Sequence, residues 1–237
     1  MADVKYKRIL IKLSGEALKG GKEGLYDDAT VDAICRAIKG CHDDGTEIAV
    51  VVGAGNIWRG GKADRKIDRC LADHMGMLGT AINALYLKDA LCRQGLDARV
   101  MTTVEMVEFA EPYVRDRAVK HLSKGRVVVF GCGTGSPYFS TDTAAVLKGM
   151  EIGADALLFA KNIDGVYTAD PEKDPAAVKL DRITYTRILK EQLKAIDLTA
   201  AAFGAEYGMK ILVFGLSDPE NIRRVASGEA PGTVIEP

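Results

Sequence analysis

The sequence predicts an α/β fold, a three-layer αβα sandwich in which a mainly parallel central sheet carries helices on both faces. Apolar runs rich in Val, Ile and Leu recur along the chain, each too apolar for a sheet face open to water. Each run is followed by glycine and then by a stretch with helical periodicity, the pattern of parallel strands joined by crossover helices. The alternation continues without a linker, an internal repeat or a low-complexity segment, which argues for one domain spanning residues 1–237.

The first predicted strand covers residues 8–13. Val31, Ile34, Ala37, Ile38 and Cys41 then recur at steps of three and four, predicting an amphipathic helix over 28–44 with Gly45 just past its end. A second strand, 47–52, precedes a helix over 74–94. Strands over 98–101 and 126–130 follow, and Ser140-Thr141-Asp142 opens a helix that Asp142 would cap, with Leu147 on its apolar face. After a strand over 156–160, Thr184 is a good N-cap for a helix striped by Tyr185, Ile188, Leu189, Leu193 and Ile196. A strand over 210–214, a helix opened by Asp218-Pro219 with Ile222 and Val225, and a short edge strand over 233–235 complete the chain.

Composition narrows the function classes. The residues are 47% hydrophobic and 27% charged, an ordinary globular balance. Lys and Arg number 32 against 33 Asp and Glu, so no basic field exists to hold a nucleic acid. No apolar run approaches the ~20 residues that span a bilayer, and Lys12 interrupts the N-terminal apolar stretch before a secretory segment forms. These features predict a cytoplasmic protein without a membrane segment. The five cysteines are scattered without metal-ligand spacing and predict reduced, mostly buried thiols.

In open parallel sheets, ligands sit beyond the carboxyl ends of the strands. Three of those loops are glycine-rich: Lys12-Leu13-Ser14-Gly15-Glu16, Gly53-Ala54-Gly55-Asn56 and Gly131-Cys132-Gly133-Thr134-Gly135. Glycine lets backbone N–H groups approach phosphate oxygens closely, and a following helix N-terminus adds a favourable dipole. The same glycines would also serve as plain turns. No G-x-x-x-x-G-K-[ST] or G-x-G-x-x-G sequence occurs, which excludes a P-loop kinase and a dinucleotide-binding dehydrogenase. Lys12 lies inside an apolar strand, where an unpaired ammonium is costly, so it faces solvent at the strand end or pairs with an anion. Arg59 is either a solvated arginine or a fork of donors for a phosphoryl group.

These motifs resemble the amino acid kinase superfamily and, within it, the bacterial UMP kinases. The resemblance rests on Lys12 through Leu18, Gly53 through Asn56, Asp73-His74-Met75-Gly76-Met77, Gly133 through Asp142, and Asp164 through Pro171, in that order over nearly the whole chain. It implies the carbamate kinase-like fold and transfer of the ATP γ-phosphoryl to UMP, with Mg2+ on the nucleotide and no protein-held metal. It further implies that Lys12 bridges the transferring phosphate, that Asp142 and Asp197 orient that lysine and the metal-bound phosphates, and that Arg59 stabilises the moving charge. ATP would also meet Leu13, Ser14, Gly15, Gly55, Asn162, Tyr167 and Asp170. UMP would meet Ala54, Asp73 and the loop Thr134, Gly135, Ser136, Pro137, Tyr138, Phe139, Ser140 and Thr141.

A carboxylate at Asp73 suits both hydroxyls of a ribose, although the residue would also serve as the N-cap of the helix over 74–94. Two positions depart from the family pattern. Ala54 stands between glycines where a third glycine is common, and its methyl would narrow the approach of the acceptor phosphate. Ser136 replaces a frequent asparagine. Similar enzymes form homohexamers, are often activated by GTP and are inhibited by UTP; residues 20–26 match the effector region loosely. Two other readings remain open at this stage, a kinase of carboxylates or carbamate and a nucleotide-binding protein without turnover. The run Asp73 to Met77 argues against the former, and the presence of Lys12, Arg59, Asp142 and Asp197 against the latter.

Overall fold

The computed structural model describes residues 4–58, 66–171, 173–193 and 195–237. All six apolar runs form strands: β1 (Arg8–Leu13), β2 (Glu47–Val52), β3 (Ala98–Thr102), β5 (Val127–Gly131), β6 (Ala156–Lys161) and β10 (Ile211–Gly215). They join β4 (Glu111–Pro112), β9 (Arg182–Thr184) and β11 (Thr233–Glu236) in one sheet of order β4-β3-β5-β2-β1-β6-β10-β11-β9. A separate hairpin pairs β7 (Val166–Tyr167) with β8 (Lys179–Leu180). The central pairings are parallel, with Lys12 opposite Val51 on one side and Phe159 on the other. The carboxyl ends of β1, β2, β5 and β6 therefore lie along one edge.

Strand alternation divides the core into two. Ile9, Ile11 and Leu13 face one cluster, built with Val31, Ile34, Ile38, Leu87, Leu91, Ile222 and Val225. These come from α2 (Asp28–Asp43), α3 (Arg69–Arg93) and α8 (Asn221–Ala226). Leu10 faces the other cluster, with Ala118, Val146, Ile188 and Ala200. These belong to α4 (Arg115–Leu122), α5 (Thr141–Glu151), α6 (Tyr185–Glu191) and α7 (Leu198–Glu206). Each fully buried Leu, Ile or Val contributes roughly 1.5–3 kcal/mol relative to exposure, so the two layers hold the sheet from both sides.

Several boundaries differ from expectation. Helix α3 begins at Arg69, more than a turn before His74, because Asp68 caps it by accepting a 3.1 Å bond from the Leu71 N–H. Asp73 is therefore inside the helix and is not its cap. Ser140, rather than Asp142, caps α5, accepting from the N–H groups of Asp142 and Thr143. Leu147 is only partly buried; the packed face of α5 consists of Ala144, Ala145, Val146 and Lys148. The stripe from Tyr185 to Ile196 is interrupted at Gln192, whose φ of 50° ends α6, and a second helix, α7, follows. Asp218-Pro219 forms a turn, with Asp218 accepting from the Glu220 N–H, and α8 starts only at Asn221. Strand β11 is not at the edge: it pairs antiparallel with β10 and parallel with β9, so β9 is the outer strand. Cys35, Cys41 and Cys132 are buried thiols, while Cys70 is half-buried and Cys92 exposed.

Candidate active site

The end of β1 places Lys12 at the open edge of the sheet, with only 7% of the residue exposed. Its Nζ lies 2.7 Å from Oδ1 of Asp142. The other carboxylate oxygen lies 3.0 Å from Nζ of Lys161, the last residue of β6. One carboxylate thus spans two ammonium groups from neighbouring parallel strands. Burial alone would raise the Asp142 carboxyl, but the charges of Lys12 and Lys161 outweigh it and hold the group at about 2. Burial likewise depresses Lys161, offset by Asp142 and reinforced by Lys12. The two ammonium groups held at the sheet edge by one carboxylate are donors suited to a phosphate chain.

Asp142 is in the first turn of α5, and Asp197 caps α7 beside it. Asp197 accepts from the Ala200 N–H at 2.8 Å, from the Thr143 hydroxyl at 3.1 Å and from Ser140. The two helix N-termini are therefore tied together next to Lys161, whose charge feels Asp197. A cavity of about 410 Å3 is lined by Asp142, Lys161, Gln192, Leu193, Ile196, Asp197 and Leu198. Gln192 and Leu193 are shared with a cavity of about 570 Å3 that Tyr167 and Asp170 line. The Tyr167 hydroxyl donates to Asp164 at 2.7 Å. Asn162 instead lines a third cavity, of about 590 Å3, with Glu16, Gly20, Gly21 and Lys161.

The first two glycine loops touch. Short helix α1 (Gly15–Lys19) is capped by Ser14, whose hydroxyl accepts from the Ala17 N–H at 3.1 Å. A Cβ on Gly15 would meet Asn56 Oδ1 and stand 2.6 Å from the Gly55 backbone N, so only glycine allows this approach. The Leu13 side chain is in the core, and its carbonyl accepts from the Gly53 N–H at 2.9 Å. Only its backbone is at the site. The Ala54 methyl is packed towards Gly79 of α3, where an added Cβ would lie 2.9 Å away, while Ala54 also lines the neighbouring cleft.

That cleft, of about 350 Å3, is bounded by Ala54, Gly55, Asp73, Thr80 and the loop from Cys132 to Thr141. Asp73 Oδ2 accepts from the Tyr138 backbone N–H at 2.8 Å and from Arg69 Nε at 2.9 Å. Thr134 and Ser136 close a local turn through reciprocal 3.2 Å bonds, and Gly135 has a φ of 80°. Pro137 is half-buried, whereas Tyr138 and Phe139 expose their rings to the cleft mouth. Ser140 and Thr141 border the cleft, and the next residue, Asp142, borders the cavity beyond. The N-terminus of α5 thus stands between two clefts, of about 350 and 410 Å3.

The structure brings together Lys12, Asp142 and Asp197, and separately Ala54, Asp73, Thr134, Ser136 and residues 138–141, while Gly135 and Pro137 belong to the same loop without lining the cleft. Arg59 lies outside the described residues. Sequence reasoning missed Lys161, Thr143 and Arg69. Lys161 carried the signal already used for Lys12, a lysine ending an apolar strand, in the run Ala156-Leu157-Leu158-Phe159-Ala160-Lys161.

The amino acid kinase family model matches residues 7–215. This chain belongs to the amino acid kinase family. Within that family it is 50% identical over 99% of its length, and 97% of the relative's, to the uridylate kinase of Streptococcus thermophilus strain ATCC BAA-250 / LMG 18311. It is similar in structure to the UMP kinase of Bacillus anthracis, with a TM-score of 0.94 and 38% identity, covering 98% of this chain and 96% of the other. The UMP kinase of Ureaplasma parvum gives a TM-score of 0.92 at 33% identity, covering 98% and 100%. The predicted amino acid kinase fold is therefore the fold of this family member.

Proposed function

We propose that this enzyme transfers the γ-phosphoryl group of ATP to UMP, giving UDP and ADP. The observation that carries the reading is the Lys12–Asp142–Lys161 bridge placed between two clefts, the smaller of which presents a carboxylate, Asp73, and a hydroxyl-rich loop. A phosphate oxygen of UMP attacks the γ-phosphorus, and the bond from that phosphorus to the β,γ-bridging oxygen breaks with its electrons leaving on ADP. Little covalent chemistry falls to the protein, which positions the reactants and neutralises charge. Lys12 and Lys161 supply the charge, with Asp142 fixing both. Asp197 ties α7 to α5 through Thr143 and Ser140, which sets the two helix N-termini beside Lys161. Gly15 and Gly55 offer backbone donors, and Tyr167, Asp170 and Asn162 hold the rest of the donor nucleotide. Arg59 belongs to the proposal on the resemblance alone.

Mg2+ enters this reading with the nucleotide. Among the described residues no group of three carboxylate, His or Cys side chains could hold a metal, and both carboxylates at the site are engaged by cations or hydroxyls. That donor set fits an ion held by phosphate oxygens and water, as Mg2+ prefers. When bound, the ion would neutralise charge on the transferring phosphates.

The proposal extends to a single domain acting as a homohexamer in the cytoplasm. Leu71, Met75, Leu78 and Ile82 form an exposed stripe at helical spacing along α3, and such a face supports pairing with a second copy through a two-fold contact. Among the described residues no helix is long and apolar enough to cross a membrane. GTP activation and UTP inhibition are part of the proposal too. Residues 20–26 reach the second glycine loop: the Leu25 carbonyl accepts from the Asn56 amide at 2.9 Å, and the Tyr26 hydroxyl donates to Asn83 at 2.8 Å. A rate unchanged by either nucleotide would remove regulation from the proposal.

The reaction is tested by ADP release from ATP and Mg2+ against UMP, CMP, dUMP, GMP, glutamate, aspartate and carbamate. Strong preference for UMP is expected. Turnover of a carboxylate or carbamate would overturn the acceptor assignment, and silence across the panel would overturn the reaction.

A further inference from the structure

Arg69 is a cationic side chain of the acceptor cleft outside the sequence motifs, and it makes two contacts there. Its Nε donates to Asp73 Oδ2 at 2.9 Å, one helical turn along α3, and its guanidinium lies 5.5 Å from the centroid of the Tyr138 ring. The same Asp73 oxygen accepts from the backbone N–H of Tyr138. Tyr138 has a φ of 69°, a conformation that a residue with a side chain holds only when its surroundings fix it. Tyr138 and Phe139 are otherwise exposed, so little packing holds this stretch of loop in place. Arg69 therefore meets Tyr138 twice, through the Asp73 carboxylate that accepts from its backbone N–H and through its ring.

We propose that Arg69 is a positioning residue of the acceptor site, acting through Asp73 and Tyr138 to hold the carboxylate aimed into the cleft and the 133–141 loop in its binding conformation. The inference rests on the UMP reading. A carboxylate already ordered by an arginine and a peptide N–H loses less freedom when ribose hydroxyls bind, so the benefit is in acceptor affinity. The guanidinium uses one nitrogen towards Asp73, and a lysine keeps that charge and the cation over the ring.

The test is steady-state kinetics of the full-length wild type, Arg69→Gln, Arg69→Lys, Asp73→Asn and the double variant Arg69→Gln/Asp73→Asn, with thermal melts of each. Arg69→Gln is expected to raise KM for UMP roughly three- to tenfold, the scale of one helical ion pair plus one cation–π contact, with kcat, KM for ATP and the melting midpoint nearly unchanged. Arg69→Lys is expected to recover most of the loss. In the Asp73→Asn background, Arg69→Gln is expected to add little, because both changes remove the same coupled unit. An unchanged KM for UMP in Arg69→Gln would overturn the inference. So would a full independent effect in the Asp73→Asn background, which would mean that Arg69 contacts the acceptor directly. A wild-type enzyme that makes no UDP from UMP would overturn the functional reading, and this inference with it; a wild type that does so while Arg69→Gln matches it removes the inference alone.

Discussion

Asp142 Oδ1 stands 2.7 Å from Lys12 Nζ, joining the first turn of α5 to the end of β1 in a nearly dry setting. Because the other oxygen holds Lys161, loss of either lysine leaves the carboxylate paired, whereas loss of Asp142 leaves two ammonium groups facing each other. Buried ion pairs of this kind are costly to break from the odd side, which gives the three residues unequal roles in folding.

Lys161→Met is the first test of that arrangement. It keeps the length of the side chain and the Lys12–Asp142 pair, so the fold is expected to persist. One charge contact to the transferring phosphate is lost, and kcat is expected to fall by roughly 10² to 10³. Rapid-quench measurement of UDP formation checks this.

Acid stability should report on Asp142. Its folded carboxyl is held at about 2, below the ordinary value of 3.8. A depressed folded value adds stability that is present above the unfolded value and disappears as pH falls from about 4 towards 2; the size is about 2 kcal/mol. Asp142→Asn cannot contribute it. The difference in unfolding free energy between wild type and Asp142→Asn, from urea titrations at pH 6, 4 and 3, is therefore expected to shrink with acidification.

The Ala54 methyl and Gly79 form a close pair between the second glycine loop and α3. Gly79→Ala would bring its new Cβ to 2.9 Å from that methyl, and overpacking of this size costs roughly 1–3 kcal/mol. Ala54→Gly in the same chain removes the obstacle and is expected to restore much of the melting temperature. Equal destabilisation with and without Ala54→Gly would show that the two residues do not couple.

Leu78→Glu tests the exposed stripe on α3. Leu78 is 53% exposed in the isolated chain, so a charge there should leave the fold intact. If the stripe pairs two copies, sedimentation velocity is expected to show a smaller assembly than the wild type. An unchanged assembly would remove α3 from the interface.

The strands were legible because each is a short, mainly apolar run, most of them followed within a few residues by glycine, and burial on both sheet faces leaves little other use for such runs. The loops after β1, β2 and β5 carried their own signal for the same topological reason. Local readings failed where a tertiary partner decided the outcome. Asp73 reads as a cap from its neighbours, yet Asp68 makes that bond, and the helix starts earlier. Asp142 reads as a cap too, but two lysines distant in sequence claim its carboxylate and leave the capping to Ser140. Lys161, a lysine at the end of an apolar run, reads as ordinary until β6 is known to lie beside β1. The resemblance assigns Asn162, Tyr167 and Asp170 to one nucleotide; Asn162 lines the cavity beside Glu16 and Gly20, and Tyr167 and Asp170 line the one beside Gln192 and Leu193.

The most direct measurement of the central claim is single-turnover UDP formation by Lys12→Ala, with UMP binding followed by calorimetry on the same preparation. Retained UMP affinity with a rate reduced by on the order of 10² to 10³ is the expected result. Wild-type turnover in this variant would contradict the role of the Lys12–Asp142–Lys161 bridge in phosphoryl transfer.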